Sequence, residues 1–434
     1  MLIRRKERAA NLHSVIARLI VFCGILLFPA LSVSGQTKNS CLDCHAKLDA
    51  PLGVTPEEYQ GSIHAQKGIT CVSCHGGDAT KDDMLESMDA KAGFRGHIER
   101  SRIPSLCGKC HADAAYMRGY DPSLRTDQFS QYQTSVHGKL LAKGDTHVAV
   151  CADCHGAHGI HAPNDPRSSV YPTNVAQTCA RCHADEAYMK LYKIPTTQSA
   201  DYKASVHHQA LADGDLSAPT CSTCHGSHGA APPGVDSIQH VCSTCHLFQS
   251  QLFDSGPHKD VFAAMGLPGC ITCHSNHGIL APTDAMIGTD KSAVCAKCHS
   301  EGEPAYATAA AVHRELVSLD NAIKRSDEIL QRAGDAGIEV GEAQLALADG
   351  RDDLTKARVA IHSVQAAAVD QDIQAGLKVA QSTYQTGVQA MAELRFRREG
   401  LVVSLAAIGL VIFGLAFLIR EIESKQKSDK EIMK

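Results

Sequence analysis

The chain has 434 residues, of which 44% are hydrophobic and only 5% aromatic; it has no tryptophan and a formal charge of −5. Residues 1–35 carry five basic residues and one acidic, so the remainder is near −9, a balance that excludes nucleic acid as an expected partner. Nineteen cysteines and 24 histidines are the conspicuous excess.

At the N-terminus, Arg4, Arg5, Lys6, Arg8 and Arg18 precede an apolar stretch from Leu19 to about Val33, closed by Ser34-Gly35-Gln36. This is the layout of an export signal, with cleavage expected near Gly35; an uncleaved anchor is the alternative. Cys23 falls within the apolar stretch without a lipoprotein-type small-residue box before it, and reads as an inert apolar residue.

The other 18 cysteines form nine Cys-x-x-Cys-His runs. In order, these are Cys41/Cys44 with His45, Cys71/Cys74 with His75, Cys107/Cys110 with His111, Cys151/Cys154 with His155, and Cys179/Cys182 with His183. The series continues with Cys221/Cys224 and His225, Cys242/Cys245 and His246, Cys270/Cys273 and His274, and Cys295/Cys298 and His299. They are numbered motifs 1 to 9 below. Each is a c-type haem attachment signature: two thiols bond to the porphyrin edge, and the adjacent imidazole binds the iron. Zinc sites and disulfides also use paired cysteines, but neither requires a histidine after every pair. Nine covalently bound c-type haems are therefore expected, in an exported chain with no spare thiol. About 29 residues per haem across 41–299 is too little for a conventional two-layer core. The expected fold is mainly α with extensive loop, packed on porphyrins, and a haem array of this density implies electron movement.

The haem region, 36–304, is a degenerate two-haem repeat. Two units are plainest: motif 3, Ser135-Val136-His137 and motif 4 with His158-Gly159; then motif 5, Ser205-Val206-His207 and motif 6 with His228-Gly229. A shorter unit precedes them, with Ser62-Ile63-His64 between motifs 1 and 2. Another follows, with His258 between motifs 7 and 8 and then His277-Gly278. Motif 9 opens a fifth unit that ends after Val312-His313. Stacked repeats predict a quasi-linear array. Histidines outside the motifs are candidates for the far face of each iron: His64, His97, His137, His158, His207, His228, His258, His277 and His313. His97 stands in a context unlike the others, and His161, His240 and His362 are the substitutes. Met117 and Met189 could ligate in principle, but their position after Ala-Tyr reads as packing.

The spacing, the Cys-x-x-Cys-His-Gly-x-His-Gly runs and the Ser-x-His elements resemble the class III multihaem cytochromes c with paired haem motifs, over about 41–313. The resemblance implies closely packed, low-potential haems with two histidine ligands each. It also implies a place between quinol-oxidising membrane modules or other respiratory subunits and periplasmic or extracellular redox acceptors.

Residues 305–399 contain no cysteine or proline. Leu316, Leu319, Ile323 and Leu330 recur at helical spacing, as do Leu354, Ile361, Val364 and Ala368. Gly334-Asp335-Ala336-Gly337 reads as a helix stop. Two or three helices are expected, forming a stalk, with His362 as a group to suspect at a quinol site. Gly400 to Ile419 is 20 residues without charge, enough to span a bilayer. Basic residues 420–434 place that tail in the cytoplasm. The expected location is thus the bacterial inner membrane, single-pass, with the haem domain on the periplasmic side. Two functions remain: an electron carrier with every iron closed and no catalytic residue of its own, or a reductase or oxidase of a small nitrogen or sulfur compound with one open haem.

Overall fold

The computed structural model describes residues 38–231 and 238–432. The expected signal, 1–35, lies outside them, as does Pro232-Pro233, which the sequence suggests as a turn. Among the described residues all regular structure is α or 3-10 helix, with no strand. Helices before residue 304 are short, because glycine, proline and serine break the chain every few residues.

The chain divides into two compact units. The first comprises the described residues up to Glu99 together with the loop Ala157–Ile160; the second comprises Arg100–Gly156 and everything from His161 onward. In the first unit, the Ser40 amide and hydroxyl both donate to the Ala79 carbonyl (3.0 and 2.9 Å), closing the segment that carries motifs 1 and 2. The loop is held by Ile63 N donating to Ile160 O at 2.7 Å.

The second unit carries motifs 3 to 9 and a bundle of three long helices: α1 (Pro304–Asp335), α2 (Gly341–Ala360) and α3 (Ala366–Ile432). Their buried positions alternate by four and three residues. In α1 they are Val312, Leu316, Leu319, Ile323, Ser326, Leu330 and Ala333; in α2, Ala343, Leu347, Gly350, Leu354 and Ala357; in α3, Val369, Ile373, Gly376, Ala380, Thr383, Gly387 and Ala390. That is a seven-residue repeat, the pattern of helices packed knobs into holes. Leu319 packs on Gly376, Ile329 packs on Gly387, and the Ser326 and Thr383 hydroxyls bond at 2.7 Å. These contacts run in step along both helices, so α1 and α3 are parallel, with α2 antiparallel between them.

The run Leu354, Ile361, Val364, Ala368 expected within one helix is broken. A 3-10 turn, Ile361–Ser363, ends at Val364 with φ +53°, and Val364 is exposed. His362 sits in this break. Beyond Leu394, α3 continues alone through Gly400–Ile419, whose side chains are all exposed. It is one helix long and apolar enough to cross a membrane.

Candidate haem-binding array

In the first three repeats the second motif is built on one local device. A short helix starts at the first cysteine, and the residue before it donates its amide to the third helical side chain. Thr70 N bonds to Ser73 Oγ, Val150 N to Asp153 Oδ2 (2.7 Å) and Thr220 N to Thr223 Oγ1. After the histidine the chain turns through positive φ at Gly76, Gly156 and Gly226 (+71°, +83° and +80°), and at Ser275 (+64°). Asp153 is also paired with Arg100, Nη2 to Oδ2 at 2.7 Å. Burial opposes its charge, but the bonds from Arg100 and Val150 N outweigh that and hold its carboxyl below the usual range.

The first cysteines of the two motifs in each repeat are neighbours. Cys221 accepts a hydrogen bond from Cys179, which lowers its thiol to about 7; Cys270 accepts one from Cys242, which lowers it to about 6. Cys107 donates likewise to Cys151. In the first unit, burial raises Cys41, with Cys71 next to it adding to the effect. In a haem-loaded chain these sulfurs are thioethers, so the contacts register closeness rather than acidity. Successive repeats meet through their second cysteines. Burial raises Cys154, Cys224 and Cys273, and Cys182, Cys245 and the pair Cys295 and Cys298 respectively add to it. Motifs 3 to 9 therefore follow one another in space in their order along the chain.

The sequence treats all nine cysteine pairs alike, but the second cysteines of motifs 1, 2 and 3 differ in their surroundings. Cys44 and Cys74 are exposed, as are Cys245 and Cys298, whereas Cys154, Cys224 and Cys273 are half-buried. The Cys74 carbonyl accepts from Arg95 Nη1 (3.1 Å), and that of Cys44 accepts from Lys47 N (3.1 Å). Cys110 is half-buried, with its thiol at the Tyr116 hydroxyl, which bonds in turn to Tyr120 (3.2 Å). What these three share with motifs 4, 5, 6 and 8 is the helical turn of the motif; in motifs 7 and 9 a 3-10 turn ends just before the second cysteine. Cys44 follows Cys41 within Ser40–His45, Cys74 follows Cys71 within Cys71–His75, and Cys110 follows Cys107 within Ile103–His111. A spacing of three residues puts both sulfurs on one face of the helix. Exposure at Cys44 and Cys74 suits a site whose remaining cover is the porphyrin itself.

Seven motif histidines face a second histidine. Ring centres lie 6.3 Å apart for His75 and His158, 6.0 Å for His155 and His228, 5.8 Å for His225 and His277, and 5.9 Å for His274 and His362. They are 6.2 Å apart for His183 and His137, 6.3 Å for His246 and His207, and 6.2 Å for His299 and His258. A metal–imidazole bond is about 2 Å and the ring centre lies about 1 Å further back, so two imidazoles on opposite sides of one ion have centres about 6 Å apart. The observed spacings fit one iron between each pair. Several rings are also anchored through Nδ1, which donates to a carbonyl or carboxylate and leaves Nε2 as the lone-pair nitrogen. His45 bonds to Leu52 O (2.8 Å), His75 to Gly96 O (3.2 Å), His299 to Glu303 Oε2 (3.2 Å) and His362 to Val359 O (2.9 Å). Burial first, then neighbouring His228 and His111, pushes His155 down to about 4, keeping it in the neutral form that binds metal. Among the described residues, no cluster of three or more Cys, His, Asp or Glu is gathered as a structural zinc site requires.

The register of these pairs is not visible in the sequence. His137 and His207, each after Ser-x, face the first motif of the next repeat, and the histidine three residues after motifs 4, 6 and 8 faces the second motif of the previous one. Serine caps the ligand helix in three repeats: Ser62 Oγ accepts from His64 N (3.3 Å), Ser135 Oγ from Gly138 N (3.0 Å) and Ser205 Oγ from His208 N (3.2 Å). His97 lies exposed after Gly96. His313, expected to complete the fifth unit, turns its Nδ1 to Asp284 O (2.9 Å) and packs on Gly288, while His258 meets motif 9 in its place.

Sequence reading missed a tyrosine three residues before each of these serines, at Tyr59, Tyr132 and Tyr202. The Tyr132 hydroxyl donates to Ala149 O (2.8 Å) and that of Tyr202 to Pro219 O (2.9 Å), each two residues before the following haem motif. The constant offset is the signal that would have found them. In the fourth repeat Phe253 and Gly256 stand at the tyrosine and serine positions, and Phe253 packs on Gly269, just before Cys270.

Residues 260–304, which hold motifs 8 and 9, match the doubled CXXCH motif family. The chain is a multihaem c-type cytochrome with paired CXXCH motifs. The multiheme cytochrome MtrA of Shewanella baltica is 26% identical over 221 residues, covering 49% of this chain and 54% of that protein. The C-type polyheme cytochrome OmcC of Geobacter sulfurreducens is 24% identical over 166 residues, covering 33% of this chain and 20% of that protein. The cytochrome thus spans about half the length of the first relative and a fifth of the second. No solved structure matches it.

Proposed function

We propose that this cytochrome is a membrane-anchored carrier holding nine c-type haems, passing electrons between a membrane-linked respiratory donor and periplasmic or extracellular redox partners. Bound haem supplies a one-electron iron couple. The protein's part is to hold each iron between two imidazoles and to set neighbouring sites close together. The observation that carries this reading is the unbroken spatial order of motifs 3 to 9, with six of those seven motifs already facing a second histidine. His64 and His97 are the sequence's candidates for the two motifs, at His45 and His111, that complete the set. The names of the relatives, both multihaem cytochromes, support the class.

The bundle bears on the donor. α1 and α3 run parallel from the haem array, and residues 366–399 of α3 separate His362 from the apolar span. At 1.5 Å per residue that is about 50 Å. A quinol in the bilayer could not reach His362 across that distance, so the suspected quinol role of this residue is not carried forward. The donor is then a protein that itself rises from the membrane.

Electron counting tests the reading. Titration of the full-length protein with a low-potential reductant should consume nine electrons per chain, and intact mass should show nine haem additions. A count below nine, or a cysteine pair left as free thiols, would contradict it. The exposed Cys44 and Cys74 make motifs 1 and 2 the first to inspect by peptide mapping.

A further inference from the structure

We infer that His362, carried by the stalk, is the second axial ligand at motif 8, so that the bundle closes the haem array where the repeat runs out. This rests on the haem reading above and goes beyond it. In the array the second motif of each repeat is met from the next repeat: His75 by His158, His155 by His228 and His225 by His277. Motif 8 has no such partner, since the fifth unit holds motif 9 alone and no second motif with a histidine three residues after it. Its His274 is met instead by His362, with ring centres 5.9 Å apart and planes 15° apart, within the range of the other pairs.

The local structure is built to present that ring. The heptad of α2 ends at Ala357, and the 3-10 turn Ile361–Ser363 breaks the helix before α3 begins. Ser363 is 3% exposed and its hydroxyl donates to Ala360 O (2.8 Å). Its carbonyl lies where a side chain at Gly256 would collide, 2.4 Å from the Cβ position, so the turn is pressed against the chain leading to His258. His362 Nδ1 donates to Val359 O (2.9 Å), leaving Nε2 for a metal. Val364 takes positive φ directly afterwards, an uncommon conformation for a β-branched residue. His313 is not the alternative. Its ring is engaged by Asp284 O and Gly288, and His258 already faces motif 9.

The test uses full-length, haem-loaded protein in detergent, with wild type, His362→Ala, His362→Met and His313→Ala compared. Intact mass first establishes covalent haem in the wild type; its absence would overturn the haem reading itself. With haem present, His362→Ala should convert one haem per chain to high spin by electron paramagnetic resonance and create one carbon monoxide site on reduction. His313→Ala should match the wild type in both. Should His362→Ala fail to accumulate, His362→Met decides: a methionine ligand raises the potential of a histidine-ligated haem, so one component of the redox titration should move upward while the rest stay. A His362→Ala protein with every haem low spin and inert to carbon monoxide overturns the inference, as does an unmoved titration for His362→Met. So does a high-spin haem appearing in His313→Ala.

Discussion

The Tyr-x-x-Ser-x-His element ties three tasks to six residues. Ser205, 2% exposed, accepts from His208 N and donates to Tyr202 O at 2.6 Å, so one hydroxyl both starts the ligand helix and joins it to the helix before. The Tyr202 hydroxyl then fixes that helix to the segment entering motif 6. Replacing Ser205 by alanine removes the cap and one of the two donors to the Tyr202 carbonyl, leaving the Ser205 amide. A loss of about 1 kcal/mol is expected, read as a lower urea midpoint with the haem spectrum intact; an unchanged midpoint would mean the cap is dispensable. The turn after each second motif offers the opposite case. Gly76, Gly156 and Gly226 occupy positive φ with extended ψ, whereas Ser275 holds φ +64° and ψ −171°, a region almost reserved for glycine. Ser275→Gly should therefore stabilise the protein by about 1 kcal/mol, and a midpoint that falls would show that the serine side chain compensates for its backbone. At this scale the sequence was informative about chemistry and blind to pairing. Every motif could be named from spacing, yet nothing in the spacing says that His158 faces His75 rather than the histidine of its own motif, or that Cys44 and Cys74 lie open where Cys154 and Cys224 are half-covered.

The elements divide by how their stability arises. The short helices around the motifs are too brief to persist alone; they rely on caps, on the few buried side chains such as Val150 and Leu211, and on the haem bonds. The stalk needs none of this, since its three helices bury an unbroken heptad seam. Leu330 is fully buried near the end of α1 far from the haems. Leu330→Ala should cost about 2–5 kcal/mol, lowering the thermal midpoint of helix loss by circular dichroism without altering haem spin state. A spin change in that variant would mean that the bundle's packing, and not only its His362 turn, holds the array. The helical character of 305–399 and its stop near Gly337 were legible from apolar periodicity. The break at residues 361–365 was not, because Ile361, Val364 and Ala368 continue the helical spacing. The break sets the His362 ring 5.9 Å from that of His274, a partner that lies elsewhere in the chain.

In the second unit, the motifs form an ordered series whose last members are seated on one end of a bundle, with the apolar part of α3 at the other. An exposed, charge-free helix of 20 residues, Gly400 to Ile419, requires a lipid environment or a partner to cover it. If it is the anchor, a chain ending at Glu399 should keep its full haem spectrum and move from the membrane to the soluble fraction. Retention on membranes would point to a protein contact instead. A stand-off of about 50 Å separates the haem-motif end of the bundle from the apolar span. None of this was readable from composition: the sequence indicates a stalk and a span but not which end of the stalk carries the haems, a matter settled by the parallel register of Leu319 with Gly376 and Ser326 with Thr383. With every iron closed by two protein ligands, as proposed, the molecule carries electrons without turning over a substrate. Carbon monoxide titration of the reduced, full-length protein, followed in the Soret band, tests it most directly. No stoichiometric binding is expected, with no high-spin signal in the oxidised form; one carbon monoxide bound per chain would reveal an open iron and contradict the carrier reading.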